Sequence, residues 1–278
     1  MNQYRCIALD LDGTLLNEQG KLTVYARETL ETAIAAGIHV VVASGRAYDT
    51  LPASVLEIPG IEYAITSNGA AVYRVSDSSC LCVHKLQKET VQQILEIAEK
   101  ELKTPVFEAF VDGIAYGAAD YVKHPERYEA DSRAVAYIRA TRKPCEDFEA
   151  FLEEHLEHLD SLDLVISDPD AKRRLWERLE REVSHVYITA SVPRLLEISD
   201  EKSGKAQALA YVLDRLGVSK TETAAFGNAD NDADMLEFAG CGVAVANATE
   251  KCLRTASRVT ESNEEDGAAK EIRRLLGI

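Results

Sequence analysis

The sequence predicts an α/β protein, with a Rossmann-like, doubly wound parallel sheet core and an inserted α+β cap domain. Near both ends of the chain, short apolar runs typical of buried strands alternate with helical stretches, an order that gives a parallel sheet. Between these parts, helices and hairpins follow each other in a mixed order. The chain has 278 residues, 46% of them hydrophobic, which is enough for two modest cores.

In the N-terminal part, apolar runs that end in turn residues predict strands, and capping residues before periodic stretches predict helices. Thr23 can cap a helix that Gly37 ends. The predicted strands cover residues 6–9, 38–43 and 63–66, the helices cover 24–36 and 48–56, and a hairpin covers 71–75 and 81–83. This βαβαβ order favours parallel pairing.

The middle of the chain has a different pattern. The turn Asp112-Gly113 predicts a hairpin, and Asp168-Pro169 predicts the start of a helix. The predicted helices cover residues 85–100, 148–159 and 169–181, and the strands cover 106–111, 114–116, 162–167, 183–189 and 195–198. This mixture is typical of an α+β insert.

Alternation returns at the end of the chain. The predicted helices cover residues 204–216, 230–238, 250–256 and 267–276, and the strands cover 224–226 and 241–245. We therefore predict a core made of residues 1–83 and 200–278, with an inserted cap made of residues 84–199.

Charge and cysteine usage limit the function classes. The net charge is −16 and the pI is about 4.9, so the surface repels nucleic acid and anionic membranes. We expect neither as a partner. The six cysteines are scattered without a metal-binding pattern, no apolar run is long enough to span a bilayer, and no signal peptide is recognised. These features predict a cytoplasmic protein with reduced thiols. They do not specify an oligomeric state.

Two carboxylates follow the first predicted strand. Asp10 falls where the strand ends, and period-two geometry puts Asp12 on the same side of an extended segment. Ligands of open α/β sheets bind beyond the carboxyl ends of the strands. Paired carboxylates there indicate a metal site, or a nucleophile with its acid/base partner. The alternative is a turn with two solvated aspartates.

The run Asp10-Leu11-Asp12-Gly13-Thr14 resembles the first motif of the haloacid dehalogenase-like superfamily, most of whose members are phosphatases. The resemblance implies that Asp10 is the nucleophile, which forms an aspartyl-phosphate. It implies that Asp12 is the general acid/base and that both residues bind Mg²⁺, Asp12 through its carbonyl.

Ser44-Gly45-Arg46 follows the predicted strand 38–43 and resembles the second motif. The resemblance implies that Ser44 binds the transferring phosphoryl group, with help from the Gly45 amide. The alternative, that Ser44 caps the next helix, is compatible with phosphate binding. Arg46 belongs either to this phosphate site or to the surface.

Lys205 opens the helix after the cap, where a lysine opposes the helix dipole and suggests an anionic partner. It resembles the third-motif lysine, which bridges the nucleophile and the phosphoryl oxygens. Relatives usually have glycine next, whereas this chain has Ala206. Lys202 is a rival with less support.

Residues 227–232, Gly-Asn-Ala-Asp-Asn-Asp, resemble the fourth motif, which completes the metal site. The resemblance implies that Asn228 and Asp232 bind Mg²⁺ and that Asn231 contacts phosphate. Asn231 and Asp232 could instead orient Lys205 or the waters on the metal. Most relatives have aspartate at position 228, so we predict weaker Mg²⁺ affinity here. The alternative for the stretch is an acidic helix N-terminus.

Ser67-Asn68-Gly69 and the C-terminal stretches 242–248 and 262–267 resemble the Cof-type branch of the superfamily. The insert has the position and size of a type II (C2) cap. Candidate specificity residues in the cap, chosen by residue type alone, are Tyr121, Lys123, His124, Arg127 and Arg133.

The resemblance implies a Mg²⁺-dependent phosphatase for a small phosphorylated metabolite, in particular a sugar phosphate. Two alternatives stay open. A phosphomutase of the phosphomannomutase type would return the phosphoryl group to its substrate. A non-catalytic ligand-binding protein would explain Asn228 and Ala206, although the two aspartates of the first motif argue against it.

Overall fold

A computed structural model describes residues 3–278. The strands are β1 (Cys6–Leu9), β2 (His39–Ala43), β3 (Ile61–Thr66), β4 (Ala71–Arg74), β5 (Ser79–Val83), β6 (Val106–Val111), β7 (Ile114–Ala118), β8 (Lys143–Cys145), β9 (Leu159–Val165), β10 (Val186–Thr189), β11 (Leu195–Asp200), β12 (Thr223–Gly227), β13 (Cys241–Val245) and β14 (Arg258–Thr260). The α-helices are α1 (Val24–Ala35), α2 (Ala53–Leu56), α3 (Lys88–Glu101), α4 (Ala119–Lys123), α5 (Ser132–Thr141), α6 (Phe148–Glu154), α7 (Pro169–Glu182), α8 (Lys205–Leu216), α9 (Ala233–Phe238), α10 (Glu250–Thr255) and α11 (Gly267–Leu276).

The chain divides into two compact units. The first unit contains the chain up to Arg46, Leu51–Cys82 and Ser203–Ile278. The second unit contains Val83–Lys202 together with the short segment Ala47–Thr50. The predicted division of roles between a catalytic core and a specificity cap stays a prediction. Within residues 3–278, no helix combines the length and the apolar character needed to cross a membrane.

The first unit is built on an eight-stranded sheet with the order β14-β13-β12-β1-β2-β3-β4-β5. The pairs from β14 to β3 are parallel, and β4 pairs antiparallel with β3. Every residue of β1, β12 and β13 is buried, as expected for strands covered on both faces. The predicted α/β class with a parallel sheet is confirmed.

Register in this sheet brings three strand ends together. Leu9 of β1 pairs with Val42 of β2 and with Phe226 of β12. The residues that follow these three strands therefore emerge at one edge of the sheet. This edge carries the first, second and fourth motifs.

The second unit contains a six-stranded sheet with the order β10-β11-β9-β6-β7-β8. Its pairs are antiparallel, apart from the parallel pair β7 and β8. One face packs on α3 and α7 through leucine and isoleucine side chains. The other face buries an ion pair in which Arg142 Nη2 lies 2.6 Å from Glu108 Oε2, and the Tyr121 hydroxyl donates to Glu108 Oε1 at 2.7 Å. This combination of helices and a mainly antiparallel sheet confirms the predicted α+β character of this part of the chain.

The predicted helix over residues 48–56 is wrong as a continuous element. The structure has a 3₁₀ turn at Tyr48–Thr50 and the separate short helix α2. Pro52 lies between them with extended backbone, φ −63° and ψ 123°. Proline has no N–H and disfavours helical backbone in the residue before it, so the helix is interrupted there.

The predicted helix over residues 148–159 is too long, because α6 ends at Glu154 and β9 begins at Leu159. Hydrogen bonds from Lys85 Nζ and Gly113 N to the carboxylate of Asp160 hold this segment in the sheet. These partners are distant in sequence, so the local pattern does not show them. Helices α4 and α5 and strands β8 and β14 were not predicted.

Candidate active site

Asp10 lies directly after β1 and is 5% exposed. Its backbone N–H donates to Phe226 O at 3.0 Å, which extends the sheet pairing by one residue and fixes the start of the loop. Burial, followed by the charge of Asp232, raises the pKa of Asp10 to about 7 despite the opposing charge of Lys205. A carboxylate in these surroundings is poorly solvated, which suits a nucleophile.

Lys205 is the first residue of α8 and is fully buried. Its Nζ lies 2.8 Å from Asp10 Oδ1 and 2.5 Å from Asp232 Oδ1. Burial alone would lower the pKa of Lys205, but the two carboxylates outweigh it and hold the pKa above its ordinary value. The rival Lys202 is exposed, and its backbone N–H donates to Asp200. The structure therefore brings Lys205, and not Lys202, to Asp10.

Asp12 points its carboxylate toward Arg46. Arg46 Nε donates to Asp12 Oδ2 at 2.7 Å, and Nη2 donates to Oδ1 at 2.8 Å. The side chain of Asp12 is 44% exposed, whereas that of Arg46 is 11% exposed. A planar guanidinium bound at two points fixes the direction of a carboxylate. The sequence had left Arg46 undecided, and the structure pairs it with the predicted acid/base.

Ser44 follows β2 and is 1% exposed. Its Oγ accepts a hydrogen bond from the Arg46 backbone N–H at 3.2 Å, so the hydroxyl caps the turn that follows. Its own N–H donates to Ile65 O at 2.9 Å. Gly45 lies within the same turn and is partly exposed. Phosphate binding by Ser44 and the Gly45 amide stays a prediction.

Asn228 follows β12, and one end of its amide faces the first motif. That end lies 3.1 Å from Asp10 Oδ2, 3.0 Å from Asp12 O and 2.9 Å from Thr14 Oγ1. Since the first two are acceptors only, hydrogen bonding places the amide nitrogen there. A side chain at Gly13 would also collide with Asn228, since a Cβ would lie 2.6 Å from the amide. The absence of a side chain at position 13 allows this close approach.

Asp232 uses both carboxylate oxygens within the protein. Oδ1 binds Lys205, and Oδ2 accepts from the backbone N–H groups of Asn228 at 2.9 Å and Ala229 at 3.0 Å. Asn231, which is 2% exposed, donates from Nδ2 to Asn68 Oδ1 at 2.8 Å. These contacts shape the fourth-motif loop and hold Lys205.

The donor atoms fit Mg²⁺. Within residues 3–278, no group of three or more His, Cys, Asp or Glu side chains forms a metal cluster. The Asp10 carboxylate, the Asp12 carbonyl and the Asn228 amide nevertheless lie close together. The inward-facing end of the amide is 3.1 Å from Asp10 Oδ2 and 3.0 Å from Asp12 O. Neighbouring oxygens around octahedral Mg²⁺ are about 2.9 Å apart. With its oxygen turned inward, Asn228 completes a set of three oxygen donors.

The cap residues chosen by type mostly have partners inside the second unit. The Tyr121 hydroxyl is bound to Glu108, Lys123 pairs with Glu146, and Arg127 pairs with Asp120. His124 lies 3.4 Å from Glu126, and Arg133 is exposed. Their role in specificity stays a prediction.

Arg46 and Asn68 carry contacts that sequence reasoning did not foresee. The sequence marked Asn68 only as part of a segment that resembles the Cof-type branch, and it placed Arg46 either at the phosphate site or at the surface. The signal for both was their position within three residues of the end of a predicted strand, at the same sheet edge as Asp10.

A buried aspartate beside a buried lysine at the carboxyl edge of a parallel sheet is suited to covalent catalysis by a carboxylate. The model of the haloacid dehalogenase-like hydrolase family matches residues 7–272. The chain belongs to this family, as its motifs predicted. It is an enzyme, a phosphoric monoester hydrolase by class.

Similar proteins cover the chain almost completely. Phosphatase YwpJ of Bacillus subtilis (strain 168) is 30% identical over 292 residues, which are 98% of this chain and 100% of that protein. The 5-amino-6-(5-phospho-D-ribitylamino)uracil phosphatase YitU of the same organism is 28% identical over 273 residues, 98% of this chain and 97% of that protein. A solved haloacid dehalogenase-like hydrolase from Bacillus subtilis is 28% identical with a TM-score of 0.81, and the match covers 98% of this chain and 100% of that one.

Proposed function

We propose that this protein is a Mg²⁺-dependent phosphatase that hydrolyses a small phosphorylated metabolite through an aspartyl-phosphate. One observation carries the proposal. A buried lysine holds Asp10 at 2.8 Å and Asp232 at 2.5 Å at the carboxyl edge of a parallel sheet. Such a costly charge cluster is explained by phosphoryl transfer, since the lysine also neutralises an incoming phosphate.

The chain's own residues perform the following steps. The Asp10 carboxylate attacks phosphorus, and the bond between phosphorus and the leaving oxygen breaks. Asp12 donates its proton to that oxygen and then takes a proton from the water that attacks the aspartyl-phosphate. Phosphate leaves, Asp10 is restored as a carboxylate, and Asp12 is again protonated.

Charge on the transferring group is balanced by several groups. Lys205 lies beside the nucleophile, and Ser44 with the Gly45 amide would bind the phosphoryl oxygens. Mg²⁺, when held by Asp10, the Asp12 carbonyl and the Asn228 amide oxygen, supplies further positive charge to these oxygens. We assign Asp232 and Asn231 to positioning Lys205 and the fourth-motif loop, because their side chains bind inside the protein.

The substrate we propose is a sugar phosphate or a related polyol phosphate. The relative YitU is named for a substrate with a phosphate on a ribityl chain, and the match covers 98% of this chain. That substrate is a phosphate monoester of a polyhydroxylated carbon chain. Its alkoxide leaving group needs a proton, which explains an acid at Asp12.

The experiment is phosphate release by the purified protein. The panel contains sugar phosphates, the ribityl phosphate named above, nucleotides and p-nitrophenyl phosphate, each with Mg²⁺ and with EDTA. We expect release that needs Mg²⁺ and is lost in the Asp10→Asn variant. Activity retained in Asp10→Asn would overturn the assignment.

Two other outcomes separate the alternatives. Transfer of phosphate between positions of one sugar, dependent on a bisphosphate activator, would indicate a phosphomutase. Binding of a phosphorylated ligand with no turnover at high Mg²⁺ would indicate a binding protein, and Asn228→Asp would then be the first variant to assay.

A further inference from the structure

The turn Ser67-Asn68-Gly69 after β3 has no part in the mechanism above, yet its backbone is unusual. All three residues have positive φ, at 48°, 54° and 90°. Ser67 and Asn68 are both buried. Left-handed backbone is unfavourable for serine, whereas glycine and asparagine tolerate it, so a run of three such residues persists where the surroundings fix it, often at functional sites.

Asn68 contacts three separate loops with three different atoms. Its backbone N–H donates to Ser44 O at 3.2 Å. Its backbone carbonyl accepts from Gly204 N at 3.0 Å. Its side-chain Oδ1 accepts from Asn231 Nδ2 at 2.8 Å. One residue therefore connects the second, third and fourth motifs.

The residues that Asn68 binds either belong to the proposed active site or directly precede a residue that does. Ser44 is the predicted phosphate ligand, and Gly204 directly precedes Lys205. Asn231 directly precedes Asp232, the second partner of Lys205. Asn68 is thus hydrogen-bonded to the residue before Lys205 and to the residue before Asp232, the two members of the ion pair.

Close packing makes this connection rigid. A Cβ at Gly69 would lie 2.2 Å from Gly204 O, so the two backbones touch and no side chain fits between them. Three buried polar atoms beside the contact, Ser67 Oγ, Ser203 Oγ and Asn231 Oδ1, lack a hydrogen-bond partner within residues 3–278. Such atoms cost stability, so the packing here is not optimised for stability alone.

We propose that Asn68 is a positioning residue for phosphoryl transfer, acting through the Asn68–Asn231 hydrogen bond. It keeps Lys205, Asp232 and Ser44 in the arrangement that the transition state requires. The inference rests on the proposed phosphatase function and adds a residue to it. Small displacements of charged groups lower transition-state stabilisation more than they lower substrate binding.

The test variant is Asn68→Gly, which removes the Oδ1 acceptor but accepts positive φ and keeps both backbone hydrogen bonds. We expect kcat with Mg²⁺ to fall about 10- to 100-fold, with KM changed by less than about threefold. The affinity for orthovanadate, which mimics the transition state, should fall with kcat, whereas the affinity for inorganic phosphate should change little.

The matched control is Ser78→Gly. Ser78 also has positive φ, at 56°, but lies in an exposed turn between β4 and β5. This variant makes the same backbone change away from the site and should keep wild-type kcat. Equal losses in both variants, or no loss of kcat in Asn68→Gly, would overturn the proposal.

A double-mutant cycle with Asn231→Ala tests the proposed route. Both single variants remove the same hydrogen bond, so the double variant should be little worse than the more damaged single one. Multiplied losses would show that Asn68 does not act through Asn231. Asn231→Ala also keeps the test available if Asn68→Gly does not fold.

The outcomes also separate this inference from the proposed function. A wild-type protein without turnover on any substrate would overturn both the phosphatase function and this inference. An active wild type with an equally active Asn68→Gly would overturn the inference alone.

Discussion

Arg46 and Asp12 form a two-point ion pair, with both carboxylate oxygens of Asp12 bound to one guanidinium at 2.7 and 2.8 Å. The pair joins the loop after β1 to the loop after β2. A carboxylate held in this way keeps one direction, while its side chain remains 44% exposed to solvent. The proposed acid/base is therefore both oriented and accessible to water.

The Asp12→Ala variant tests the acid/base role. We expect kcat for alkyl phosphates to fall about 10²- to 10⁴-fold, because a positioned acid contributes that much. With p-nitrophenyl phosphate the loss should be smaller, since this leaving group departs without a proton. Steady-state kinetics with both substrates make the comparison, and inorganic phosphate should still inhibit. Equal losses with the two leaving groups would contradict the role.

The Arg46→Lys variant tests the ion pair. Lysine keeps the positive charge but offers no planar, two-point contact. We expect kcat for alkyl phosphates to fall about 10- to 100-fold, because Asp12 is no longer fixed in direction. The dependence on the leaving group should resemble that of Asp12→Ala. If kcat is unchanged, the geometry of the pair has no importance for the reaction.

The Asn228→Asp variant should bind Mg²⁺ more tightly, and its metal-free form should be less stable than the metal-free wild type. A carboxylate adds charge to the donor set, so we expect about tenfold tighter Mg²⁺ in titration calorimetry. In EDTA no cation offsets the new charge, which lies 3.1 Å from Asp10 Oδ2, and the hydrogen bonds of the amide are lost. The free energy of unfolding should therefore be about 1–3 kcal/mol lower than that of the wild type.

Asn247→Asp is the control for that experiment. Asn247 is exposed, and its amide donates to Gly13 O at 2.8 Å. The variant therefore adds charge beside the same loop and removes one amide hydrogen bond, as Asn228→Asp does, but it adds no ligand. We expect a Mg²⁺ affinity within about twofold of wild type. A change as large as that in Asn228→Asp would assign the effect to net charge.

Mg²⁺ binding should depend on pH through Asp10, whose pKa is raised to about 7. Below that pH the protonated carboxyl cannot bind the cation, so the apparent affinity should fall about tenfold per pH unit and binding should release a proton. Above pH 7 the affinity should level off. Calorimetry in buffers of different ionisation enthalpy measures the proton, and Asp10→Asn should lose the pH dependence.

The free energy of unfolding of the metal-free protein should also depend on pH through Asp10. Asp10 has an ordinary pKa of 3.8 in the unfolded chain and about 7 when folded, so the folded state binds more protons between these values. Its contribution to stability is fully present below pH 3.8 and is lost as the pH rises toward 7. A contribution from Asp10 that increases across this range, relative to Asp10→Asn, would contradict the raised pKa.

The second unit offers a stability test that does not involve the candidate site. In Arg142→Met, Glu108 keeps its Tyr121 bond but is left as an unpaired buried charge, which should cost about 3–5 kcal/mol. The side chains of this pair are 4% and 2% exposed. Arg254→Met, which breaks the exposed pair with Glu250, should cost less than about 0.5 kcal/mol. Urea unfolding compares them, and equal costs would be incompatible with the burial of Glu108.

Much of the fold could be predicted because its signals are local. The continuous apolar runs of β1, β2 and β13 specify strands covered on both faces, and Thr23 and Asp168 cap their helices as expected. Helix α5 was missed, although Asp131 caps it, because its apolar face is short. The limits of α6 and β9 depend on Asp160, whose partners Lys85 and Gly113 are remote in sequence.

The candidate site could be predicted where strand ends carry the chemistry. Asp10, Ser44 and Asn228 follow three neighbouring strands, and topology alone brings them to one edge. What the sequence could not show is which polar group binds which. The contacts of Asn68 with Gly204 and Asn231 depend on the packing of α8 against a left-handed turn, and no local pattern encodes that packing.

The four residues Ala47–Thr50 belong to the second unit although they follow Arg46 directly in the chain. The Asp49 N–H donates to Gly113 O at 3.0 Å, and Ala47 packs with Phe110 and Ala115. The second unit is therefore not a simple insertion between two positions. If residues 83–202 alone were replaced by the corresponding segment of a relative, Ala47–Thr50 would pack against side chains that do not match them. Exchanging the second unit between relatives therefore requires exchanging these four residues as well.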